Sequence, residues 1–89
     1  MNLCLAPHAP PPQPTCANLR WLQPRGDSRH RVIAWTCDCE DLVYELCAAG
    51  GLMFLRSTNL DTPATFETHR MRTSEGWATW QALLSGLAR

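Results

Sequence analysis

Hydrophobic and polar positions divide the chain into an aperiodic N-terminal stretch and a remainder in which period two and period 3.6 alternate. Residues 7–14, PHAPPPQP, hold five of the seven prolines and almost nothing that packs. Residues 1–16 are therefore expected to be a disordered proline-rich arm, and residues 17–89 a small domain. CANLRWLQ alternates, PRGDSRH is rich in turn formers and RVIAWTCDC favours strand, which together predict a β-hairpin. In its second strand Ile33, Trp35, Cys37 and Cys39 share one face. The period then lengthens: Leu42, Val43, Leu46 and Cys47 recur at helical spacing. Glu40 and Asp41 place negative charge where the helix would start, and Gly50-Gly51 supplies a stop, so a helix is predicted over 40–49.

A second strand pair follows. LMFLRS is apolar on both faces and suits an interior strand, whereas TFETHRMRT is largely polar and suits an edge. Ser74 is placed to cap a last helix running to about residue 88, with Trp77, Trp80, Leu84 and Leu87 on one stripe. The predicted order is ββαββα, an α+β domain whose sheet of about four strands, antiparallel or mixed, carries two helices on one face.

Size sharpens this picture. A domain of 89 residues buries only about 60% of the surface its unfolded chain exposes, so burial against a partner or a second copy would stabilise it. Four tryptophans in so short a chain favour association with protein, itself included, and Trp77 and Trp80 on the last helix are the candidate contact residues. All eight basic residues are arginine, lysine is missing and Ile33 is the one isoleucine, a bias that points to a high-GC, bacterial genome.

The formal net charge is zero, which argues against a dedicated nucleic-acid binder. The charge is uneven, however. Residues 1–36 carry four arginines against one aspartate, while residues 37–89 carry four against seven carboxylates. Arg20, Trp21, Arg25, Arg29 and Arg31 are thus the residues of an alternative, nucleic-acid-binding reading. Arg25-Gly26-Asp27-Ser28 matches an integrin-binding tetrapeptide, but its residue types are those a hairpin turn needs. The first residues lack a charged leader with an apolar block, and the longest apolar run falls far short of the roughly 18 residues of a membrane span, so a cytoplasmic protein is expected.

Candidate chemistry is confined to TCDCEDLVYELC, residues 36–47, with three of the five cysteines. Zinc takes about four thiolate or imidazole ligands, usually from pairs such as Cys-x-x-Cys. Cys37-Asp38-Cys39 departs from that spacing, and in an extended strand joint ligation would require the chain to bend. The thiols are read first as small hydrophobes of the core, with no metal expected; Cys37, Cys39 and Cys47, with His69, His30 or Cys16 completing a set, give a zinc-stabilised domain as the third reading. No cofactor is expected. The lack of a Gly-rich phosphate loop, GxSxG or HExxH points away from an enzyme. The leading expectation is a non-enzymatic protein-binding or regulatory module.

Overall fold

A computed structural model describes residues 6–26 and 29–89. Four strands form one antiparallel sheet in the order β1-β2-β3-β4: β1 (Arg31–Trp35), β2 (Leu42–Ala49), β3 (Leu52–Asn59) and β4 (Ala64–Glu67). One helix, α1 (Thr73–Leu84), follows. The predicted four-stranded sheet and the last helix are present. The helix predicted over 40–49 is not, because that stretch is β2, and the order is ββββα among the described residues.

The correction has a physical cause. Leu42, Val43, Leu46 and Cys47 fit helical spacing, yet the same segment also reads as two alternating rows, Tyr44-Leu46-Ala48 and Val43-Glu45-Cys47. Leu46 and Cys47, on opposite faces of β2, are both fully buried, and a strand covered on both faces need not alternate cleanly. All eight β2 residues pair with β3, from Leu42↔Asn59 to Ala49↔Leu52. The one charge within β2, Glu45, lies opposite Arg56, whose guanidinium donates to its carboxylate at 2.6 and 2.8 Å. Gly50 and Gly51, at φ +57 and +78, make the two-residue β2–β3 turn that needs two left-handed residues, so the pair read as a helix stop is a hairpin turn.

The predicted first hairpin strand is also absent. CANLRWLQ makes only isolated bridges, Ala17 with Ala88 and Leu22 with Glu67. Leu22 thus lies at the β4 edge, while Arg31 opens β1 at the opposite edge. Asp27 and Ser28 of the tetrapeptide, like residues 1–5 of the arm, lie outside the described residues.

The two sheet faces carry different chemistry. On one, Tyr44, Leu46, Met53 and Leu55 pack with Trp80 and Leu83 of α1, and Ile33, Ala48 and Trp21 close the cluster. On the other, Cys47 and Phe54 are fully buried; the His30 ring meets Phe54 edge-on at 5.6 Å and the Arg70 guanidinium lies 4.0 Å above it. The helix buries Gly76, Trp80 and Leu83 rather than the predicted stripe, and Leu87 lies beyond its end. That end is a Schellman pattern: Gly86, at φ +75, donates its N–H to Leu83 O, and Leu87 donates to Ala82 O. The start is Arg72, with no side-chain cap, in place of the cap predicted at Ser74.

The proline-rich segment lies against the domain. Pro7 O accepts the Cys37 N–H at 2.8 Å, Gln13 N–H reaches Gly86 O at 2.7 Å, and the Arg89 guanidinium donates to Pro10 O. Ala17 N–H then bonds Leu87 O, and Arg89 N–H returns to Ala17 O, both at 2.9 Å. Among the described residues no helix is long and apolar enough to cross a membrane.

Candidate functional site

Strand β1 stops at Trp35, and the chain turns at Asp38 and Cys39, so the Cys-x-Cys stretch is a bend. The bend brings the Cys37 and Cys39 sulfurs to 3.0 Å, and the Cys39 N–H points at the Cys37 Sγ from 3.3 Å. Because Cys37 also donates its N–H to Pro7 O, the next residue of the arm, His8, is carried to the same place. One ligand atom from each of His8, Cys37 and Cys39 lies within 4.8 Å of the other two. His8 and Cys39 are exposed and Cys37 is half-buried. Beside it lies a cleft of about 310 Å³ between the arm and the end of the sheet, lined by His8, Cys37, Glu40, Tyr44 and Arg89 among others.

A second feature lies along β1. Trp35 is 55% exposed, the most exposed of the large apolar side chains among the described residues, and Val32 on the same strand is 38% exposed. Ala6, Pro7, Ile33, Ala34 and Trp35 line a shallow groove of about 250 Å³ whose side chains are all apolar. The strand is irregular: its register with β2 shifts between Val32 and Ala34, a bulge that twists an edge away from further strand pairing.

The predicted site residues are dispersed. Trp80 is in the core, 2% exposed, whereas Trp77 on the same helix is exposed. Of the six cysteine and histidine candidates, only Cys37 and Cys39 come together. Cys47 lies opposite Val32, fully buried, and burial pushes its thiol up to about 11. His69 is exposed after β4, at the other edge of the sheet, and His30 packs on Phe54 with its Nε2 at 2.8 Å from the Arg56 guanidinium.

The arginines Arg20, Arg25, Arg29 and Arg31 are all exposed but spread from the β4 edge to the β1 edge. Trp21 is half-buried and packed against the core cluster, its indole N–H donating to Arg89 O at 3.2 Å and its ring tilted against Tyr44 at 6.0 Å. Glu67 is buried and its carboxylate accepts the Arg25 N–H.

No protein-family model, curated protein or solved structure matches the chain. His8 is the member that sequence reasoning missed: in a segment read as unpacked it had no position, and the one available signal was a lone imidazole among prolines.

Proposed function

We propose that this chain is a non-catalytic module that works by associating with protein, first of all with further copies of itself, through the apolar groove along β1. The observation that carries the reading is the 55% exposure of Trp35 at the end of an all-apolar groove. Tryptophan is the side chain most enriched among residues that dominate binding energy, and covering a ring left half in water is favourable at about 25 cal/mol per Å² of apolar area. A formal net charge of zero puts no long-range repulsion between copies. The bulge in β1 favours side-chain burial over strand addition as the mode of contact. Trp77 is a further exposed contact candidate, while Trp80 serves the core.

The dispersed arginines and the engaged Trp21 give the nucleic-acid reading less support than association has. Sedimentation velocity across micromolar to millimolar concentration tests the proposal. The wild-type coefficient rises with concentration, and Trp35→Glu, a change at an exposed position, abolishes the rise while leaving far-UV circular dichroism intact. A wild type that sediments as a monomer throughout, or a Trp35→Glu variant that associates like wild type, refutes it.

A further inference from the structure

We infer that His8, Cys37 and Cys39 form a zinc site that clamps the proline-rich segment onto the end of the sheet. This goes beyond the association reading and does not depend on it. Three observations carry it. The donors come from two segments 29 residues apart in sequence, His8 and Cys37, yet their ligand atoms and that of Cys39 fall within 4.8 Å of one another. Two thiolates and an imidazole are a soft donor set, matched to Zn²⁺ and poorly suited to Mg²⁺ or Ca²⁺. The Cys39 N–H directed at the Cys37 sulfur supplies the kind of outer hydrogen bond that orients a metal-bound thiolate.

The size also fits. Two sulfurs at about 2.3 Å from a tetrahedral ion stand about 3.8 Å apart, so the 3.0 Å pair need separate by only about 1 Å. A turn permits that movement, and here the chain turns at Asp38 and Cys39 instead of continuing β1. Ligation would release the two thiol protons to solvent and set two thiolates against one divalent ion. It would also tie His8 to the sheet end across the short link that Pro7 O already makes to the Cys37 N–H.

The competing chemistry of so close a thiol pair is oxidation to a disulfide, which needs no imidazole. The inference therefore differs from it in requiring His8. The test uses the full chain, fully reduced and freed of metal, titrated with Zn²⁺ alone against a chromophoric chelator and with Co²⁺ alone by absorption. One ion binds per chain, and Co²⁺ develops sulfur-to-metal charge-transfer bands together with the intense d–d bands of a tetrahedral site. Cys37→Ser and Cys39→Ser each lower Zn²⁺ affinity about 100-fold or more, and His8→Asn lowers it at least about tenfold and alters the d–d bands, whereas Cys16→Ser and Cys47→Ser bind as wild type does. No stoichiometric Zn²⁺ in the reduced wild type overturns the assignment. So does a His8→Asn variant with unchanged affinity and spectrum, or loss of binding in Cys16→Ser or Cys47→Ser with retention in Cys37→Ser. Because His8 and Cys39 are exposed, their variants fold, and the association of copies is read separately by sedimentation.

Discussion

Replacing Gly76 by alanine sets two effects of similar size against each other, and the structure decides the sign. On propensity alone the change stabilises, since a glycine inside a helix costs about 1 kcal/mol relative to alanine. The added methyl, however, would stand 2.6 Å from Met53 Cβ, 3.0 Å from its Sδ and 3.3 Å from its Cγ. Carbon atoms in contact prefer about 3.5 to 4.0 Å, so the nearest pair must separate by about 1 Å. The sulfur can swing away, but Cβ follows the backbone of β3, and Met53 is held there by paired 2.8 Å hydrogen bonds with Met71. The helix must therefore lift, taking Trp80 and Leu83 part-way out of the core. Overpacking of this kind costs about 1 to 3 kcal/mol, and with the propensity gain of about 1 kcal/mol subtracted a net loss of up to about 2 kcal/mol is expected. In urea, with a slope of about 1 kcal/mol per molar for a small domain, the midpoint falls by up to about 2 M at unchanged slope. Met53→Ala keeps Cβ, so the penalty should persist in that background. A midpoint above wild type would refute the close approach of α1 to β3.

The other expectations follow from equally local facts. Gly86→Ala should destabilise, because the residue sits at φ +75 and its new methyl would meet Pro11 O at 2.7 Å; faster amide exchange at Gln13, whose N–H bonds Gly86 O, should accompany the loss, and wild-type exchange there would contradict the packing of the arm. Trp80→Ala should cost about 3 to 5 kcal/mol in denaturant and the exposed Trp77→Ala under about 1, an order whose reversal would misplace the helix face. Cys47 should resist alkylation at neutral pH, and since its thiol is pushed up to about 11 in the fold, the unfolded state ionises first as pH rises; stability should fall between about pH 9 and 11, and Cys47→Ala should remove that fall.

Much of the sheet was legible because its signals were local. LMFLRS is apolar on both faces and became the interior strand β3, and the Trp80 stripe became a helix. What failed was segment 40–49, where four apolar positions fit both periods and a Gly-Gly pair ends a helix or turns a hairpin equally well. The pairing of β2 on both sides settles it, and that is a tertiary fact. The thiol cluster was half legible. Cys37 and Cys39 were visible as donors, and the condition that the strand bend between them was explicit in their spacing. His8 was not, because its position depends on the Pro7 carbonyl meeting the Cys37 N–H, a contact across 30 residues that no local pattern encodes. Cys47, chosen for proximity in sequence, points to a different face alongside Phe54.

Association through the β1 groove is tested most directly by native mass spectrometry of the reduced full-length chain, purified without chelator, over a series of protein concentrations. The account predicts masses at whole multiples of the chain that grow with concentration, free of nucleic acid, and their collapse to the single-chain mass in Trp35→Glu. A single-chain mass at every concentration, or a complex with copurified nucleic acid that survives Trp35→Glu, would contradict it.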